Sequence, residues 1–138
     1  MLKHMSIQDY TDVHALWSRT PGLGLRPIED SLEGISFYLN RNPKTCFTAW
    51  EDGKLVGAIL AGHDGRRGYL YHLAVDSAYR RKGIGRQLVE QSLAALSSLG
   101  IQKVALVAFT YNQNGNAFWE KMGFSQREDL TYRNRTTT

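Results

Sequence analysis

The chain predicts an α/β fold, a mixed sheet with helices on both faces in three α/β/α layers. Three observations predict it. Two Asp-Gly pairs, Asp52-Gly53 and Asp64-Gly65, separate three strand-length runs rich in apolar and aromatic residues, and Asp-Gly between such runs is a hairpin signal. A helical pattern over about 83–98 lies between two apolar runs, Leu73-Ala74-Val75 and Val104-Ala105-Leu106-Val107-Ala108-Phe109. A strand, a helix and a strand in that order return parallel, by a right-handed crossover. Finally, 138 residues with 42% hydrophobic content suit a single domain over 1–138 with one ordinary core.

Residues 1–5 read as a short edge strand. Ser6 and Asp9 make a capping signal, and Tyr10, Val13, Leu16 and Trp17 then recur at helical spacing. Pro21 and Gly22 end that helix. A second is predicted from about Pro27, with Ile28, Leu32, Ile35 and Leu39 on one face, and Asn42-Pro43 stops it. The three meander strands are expected at 45–51, 54–62 and 67–75. The helix over 83–98 buries Leu88, Val89, Leu93 and Leu96, and Gly100 closes it. A strand over 104–109 follows. Asn112 or Asn114 caps a short helix bearing Phe118, Trp119 and Met122, ended by Gly123. A last strand is predicted within 124–133. The order is β-α-α-β-β-β-α-β-α-β.

The formal net charge of +4 is local. Residues 63–86 hold six Lys/Arg against two Asp, and the remainder is balanced at eleven of each sign. One basic patch fits a compact anionic ligand better than a nucleic-acid backbone, which calls for a broad basic stripe. The single cysteine, Cys46, forms no intrachain disulfide and reads as a small core residue. The histidines and cysteine show no metal-ligand spacing, so no metal is expected. No apolar run approaches a membrane span, and the start lacks a signal-peptide core, so a cytoplasmic protein without a membrane partner is expected.

Within the basic patch, Leu73-Ala74-Val75 leads into Arg80-Arg81-Lys82-Gly83-Ile84-Gly85-Arg86 and then a helix. Glycines let backbone amides approach a ligand. The helix start adds unpaired N–H groups and its positive dipole end. Together they read as a phosphate-binding nest.

This stretch resembles the acetyl-CoA motif of the GCN5-related N-acetyltransferases, whose pattern Arg/Gln-x-x-Gly-x-Gly/Ala appears as Arg80-x-x-Gly83-x-Gly85. A second block resembles the family downstream, from Asn112 through Ala117, Phe118 and Trp119 to Gly123-Phe124. The element order matches too. The resemblance implies acetyl-CoA or coenzyme A as co-substrate, without a metal. It also implies an N-acetyltransferase that moves acetyl directly to a primary amine. Leu73, Ala74 and Val75 would pair with the pantetheine arm in a gap between splayed strands, and their amides are candidates to stabilise the oxyanion. Amides over 81–86 would hold the pyrophosphate, helped by Arg80, Arg81, Lys82 and Arg86. Asn112, Phe118 and Trp119 would flank the cofactor. Dimers are common in the family, so a homodimer is an expectation as well.

The proton-transfer groups stay open. Trp119 stands where many members have a tyrosine acid, and an indole N–H is no acid near neutral pH. Tyr111 and Tyr71 are the nearby tyrosines, each read first as a wall residue, and the thiolate can also leave unprotonated. An acyl-CoA-binding module without catalysis is the alternative that the missing tyrosine raises. His72 titrates in the useful range, but unless a bulge intervenes strand alternation lets only one of Tyr71 and His72 face a cleft. His63 and Asp64 through water, or water alone, are further bases. Trp17, Leu23, Arg26, Arg66, Phe109 and Tyr111 are candidates for the amine acceptor, small molecule or peptide, with Arg26 and Arg66 holding a carboxylate if it has one.

Overall fold

A computed structural model describes residues 1–138. The chain divides into two units, Met1–Val107 and Ala108–Thr138. The first holds one five-stranded sheet in the order β1-β2-β3-β4-β5. Its strands are β1 (Leu2–His4), β2 (Phe47–Glu51), β3 (Lys54–His63), β4 (Gly68–Val75) and β5 (Val104–Ala105). The first four are antiparallel neighbours and β5 runs parallel to β4. Both Asp-Gly hairpins form where expected, with Asp52 and Gly53 both at positive φ.

Helix α1 (Tyr10–Ser18) follows a single 3-10 turn in which the Ser6 amide donates to the Asp9 carboxylate at 3.0 Å. Helix α2 (Leu32–Arg41) starts about five residues later than predicted. Ser31 is its cap, its hydroxyl accepting from the Gly34 amide at 3.0 Å. Residues 27–30 form a turn instead, so Ile28 is 83% exposed and only Ile35 and Leu39 of the predicted face are buried. The turn tucks under α2. A Cβ on Gly34 would collide with the backbone oxygens of Ile28 and Glu29.

On one face of the sheet, Val13, Leu16, Trp17, Ile35 and Leu39 from α1 and α2 pack with Leu55, Ala58, Leu60 and Ala74. Cys46 joins this core, and burial pushes its thiol up to about 12. On the other face lies α3 (Ile84–Ser98), which buries Ile84, Leu88, Val89, Ser92 and Leu96, while predicted Leu93 is only half-buried. It packs close because Gly57 leaves room. A Cβ there would stand 3.0 Å from Leu88 Cδ1 and 3.1 Å from Ile84 Cγ2.

Two strand predictions fail. The run 104–109 is a strand only at Val104 and Ala105, and Val107 and Phe109 are exposed. The predicted last strand does not form. Its Leu130 and Tyr132 are 63% and 65% exposed, and Arg127 turns back on Asp129 at 2.8 Å. With two large apolar side chains among polar residues, 125–133 has little to bury by adding to a sheet.

The second unit holds α4 (Gln113–Lys121). Asn112 caps it, accepting from the Gly115 amide at 3.1 Å. Gly123 follows at φ 90°, a left-handed residue that ends a helix without a Cβ penalty.

Candidate active site

Strand β4 is the organising element. It pairs with β3 along most of its length, but with β5 only at Gly68 and Tyr69. Residues 70–75 therefore have no strand partner on the outer side. Such an edge leaves N–H and C=O groups available to an extended ligand. Leu73 and Val75 are half-buried there and Ala74 is buried.

The chain then caps itself. Asp76 accepts from the Ala78 amide at 2.9 Å and from Arg19 at 3.0 Å, with Lys54 at 3.6 Å. The Ala78 hydrogen bond, then Arg19 and Lys54, hold its carboxyl below the usual carboxylate range against the burial that would raise it. Beyond a short 3-10 turn, Arg81 adopts φ 66° and Gly83 φ 79° as the cap residue of α3. The first intrahelical bond is Gln87 N–H to Gly83 O at 3.0 Å, so the Ile84, Gly85 and Arg86 amides lie ahead of the ladder. This turn can hold a phosphate. Among its cations, Lys82 lies 3.7 Å from Glu51 and Arg86 3.2 Å from Glu90, while no carboxylate pairs with Arg80 or Arg81.

A second feature of β4 was outside sequence reach. Ala58 pairs with Ala74 and Leu60 with Tyr71, so two residues of β4, His72 and Leu73, oppose one residue of β3. This is a β-bulge, and His72 sits in it at φ 53°. The bulge breaks simple alternation. Tyr71 and His72 both line one cavity of about 530 Å³, with the 28–31 turn, α2 and Leu60. The exception to simple alternation therefore applies, and both residues face the same cavity.

His72 is held from three sides. Its Nε2 lies 2.9 Å from Asp30 Oδ1, its carbonyl accepts from Trp17 Nε1 at 3.0 Å, and its ring meets the indole edge-on at 4.9 Å. Asp30 is 5% exposed, and its other oxygen accepts from the Arg26 amide at 2.7 Å. Burial alone would raise its carboxyl; the His72 and Arg26 hydrogen bonds outweigh that and lower it. Sequence reading missed Asp30, placing it inside a helix. The two residues are 42 positions apart, and no spacing rule joins them. Tyr71 stacks on Tyr69 at 5.1 Å and meets Tyr38 edge-on at 6.1 Å.

The other candidates fall elsewhere. Trp17 is buried in the core, and neither Arg26 nor Arg66 lines the cavity. Asp64 accepts from the Arg66 and Arg67 amides at 2.8 and 2.9 Å, and His63 Nδ1 from Gly65, as turn residues do. Tyr111, Asn112, Phe118 and Trp119 belong to the second unit. There Phe109 and Tyr111 stack at 5.0 Å, and Trp119 meets Phe118 and Phe124 edge-on at 5.1 and 5.3 Å.

An open strand edge beside a glycine turn, with a cavity sharing the same strand, is an arrangement that can lay an extended phosphate-bearing ligand against a second molecule. Residues 10–124 match the model of the acetyltransferase (GNAT) family. An acetyltransferase of Sodalis glossinidius is 31% identical over 122 residues, 88% of this chain and 84% of the relative. N-alpha-acetyltransferase 30 of Xenopus laevis is 37% identical over 105 residues, 72% of this chain and 38% of that one. The fold is similar to the PaiA N-acetyltransferase of Thermoplasma acidophilum in complex with coenzyme A, with TM-score 0.75, 20% identity and coverage of 88% of this chain and 87% of that one. The chain belongs to the acetyltransferase (GNAT) family. No helix is long and apolar enough to cross a membrane.

Proposed function

We propose that this N-acetyltransferase binds acetyl-CoA along the outer edge of β4 and moves its acetyl group directly to a primary amine held in the cavity. The observation that carries the reading is the unpaired edge over 70–75, which ends at the left-handed turn opening α3. Strand addition by the pantetheine amides and capture of the diphosphate by the helix start use complementary chemistry at the two ends of one ligand. The coenzyme A complex of the Thermoplasma relative supports this assignment.

Arg80, Arg81, Lys82 and Arg86 supply the positive field, and the amides from Arg81 through Gly83, Ile84 and Gly85 the short contacts. Of the backbone N–H groups of Leu73, Ala74 and Val75, those that point away from β3 are the oxyanion donors that β4 offers. Residues 1–138 are read here as one cytoplasmic N-acetyltransferase domain.

The acceptor cavity is acidic and aromatic. Glu29, Asp30 and Glu33 line it together with Phe37, Tyr38 and Tyr71, and no Lys or Arg does. It therefore favours amines without a neighbouring carboxylate, which revises the role first given to Arg26 and Arg66. The test is a coenzyme A titration followed by thermal melting, then thiol release from acetyl-CoA with a panel of amines. Stabilisation together with amine-dependent thiol release is the expected result. Stabilisation without release from any amine would instead describe a binding module.

A further inference from the structure

We infer that Asp30 is a positioning residue for the transfer. It holds Nε2–H of His72 and so leaves Nδ1 as the atom that takes the acceptor's proton. This rests on the function proposed above and adds to it the group that removes the proton and the residue that fixes its tautomer.

The argument starts from the two ring nitrogens. A neutral imidazole carries one N–H and one lone pair, and the hydrogen bond at one nitrogen decides which is which. Nε2 lies 2.9 Å from a carboxylate oxygen that is 5% exposed and held in the charged form by its hydrogen bonds. An ionised carboxylate accepts only, so Nε2 must be the protonated nitrogen. Nδ1 has no hydrogen-bond partner in the protein. The lone pair is therefore on Nδ1, in a residue that lines the acceptor cavity.

The rest of the arrangement keeps the ring in place. Positive φ is costly for a residue with a Cβ and persists only where its surroundings enforce it. Here the Trp17 indole binds the His72 carbonyl, and the bulge puts the ring on the cavity side. Asp30 is itself fixed by the Arg26 amide and by the packing of the 28–30 turn on Gly34.

The chemistry balances. An acceptor ammonium gives one proton to Nδ1, and the imidazolium is stabilised by the Asp30 carboxylate. The freed nitrogen lone pair attacks the thioester carbon. The C–S bond then breaks with its electron pair on sulfur. The imidazolium gives its proton to the thiolate, and the amide nitrogen passes its second proton to the regenerated Nδ1 and from there to water. General base help of this kind contributes about 10²–10⁴-fold.

The experiment has an arm that needs no turnover. Nitrogen NMR of the wild-type protein with ¹⁵N-labelled histidine is expected to show His72 protonated on Nε2 and bare on Nδ1. Kinetics use the fastest acceptor among 1,5-diaminopentane, benzylamine and alanine amide. Asp30→Asn is expected to lower kcat by about a hundredfold or more, with less effect on KM and an unchanged coenzyme A melting shift. His72→Gln should lose at least as much, and the double variant no more than His72→Gln alone. A wild-type His72 protonated on Nδ1 would overturn the inference. So would a folded Asp30→Asn with kcat intact, or losses that multiply in the double variant. Coenzyme A binding with the expected tautomer but no amine acetylated would instead overturn the transferase reading, and the inference with it.

Discussion

Arg19, one residue past α1, donates to the carboxylate of Asp76, one residue past β4, at 3.0 Å across 57 positions of sequence. The bond joins the end of α1 to the point where the glycine turn begins. Asp76 also caps that turn through the Ala78 amide. Asp76→Ala removes both contacts and is expected to cost about 1–2 kcal/mol, read by chemical denaturation. The melting shift given by coenzyme A should shrink as well.

Acid should destabilise the protein through two carboxylates. Asp30 and Asp76 are both held below the usual range in the folded state. A depressed carboxyl stabilises the fold above its unfolded pKa and loses that contribution as pH falls through the folded value. Stability should therefore be flat near neutral pH and fall from about pH 5 downward. Asp30→Asn and Asp76→Asn should each flatten that fall in denaturation curves taken at stepped pH. An unchanged slope in both variants would show the loss to lie elsewhere.

Gly83 caps α3 at φ 79° with open space where a Cβ would stand. Substitution there meets backbone strain rather than a clash. Gly83→Val is expected to cost about 1–2 kcal/mol and to abolish the coenzyme A melting shift. Gly83→Asn, which tolerates this conformation, should keep part of both.

Gly34 poses the opposite problem, because a Cβ there meets the Ile28 and Glu29 backbone oxygens. Gly34→Ala should displace the 28–30 turn and, with it, Asp30. Acetylation of the amine should fall well over tenfold while coenzyme A binding stays near wild type. Equal loss of both would mean that the change spreads through the sheet.

The cavity charge predicts acceptor rank. Glu29 and Glu33 line it and neither is in an ion pair. At equal chain length, 1,5-diaminopentane should have a higher kcat/KM than pentylamine, and pentylamine a higher one than 5-aminopentanoate. A preference for the amino acid would reverse the assignment of the cavity.

What could be read from the sequence followed its local signals. The two Asp-Gly turns, the capping signal at Ser6 and Asp9, and the crossover from β4 through α3 to β5 each rest on neighbours in the chain. The glycine turn was legible for the same reason. The start of α2 was misplaced because Ile28 continues a helical spacing, while the Asp30 carboxylate is engaged by Arg26 and His72. Nothing in the order of residues announces a hydrogen bond over 42 positions. The bulge at His72 could be allowed for but not located, since the residues that hold it, Trp17 and Asp30, lie on other elements. The strand over 104–109 was overread because an apolar run states hydrophobicity and not pairing.

The outer edge of β4 has a consequence for handling the protein. Backbone groups arrayed along an unpaired strand will accept any extended chain, including another copy's. A bound coenzyme would act as a removable extra strand, shielding that template while it stays in place. Preparations stripped of it are the ones expected to self-associate on storage, and replenishing the coenzyme is the remedy that the sheet itself suggests.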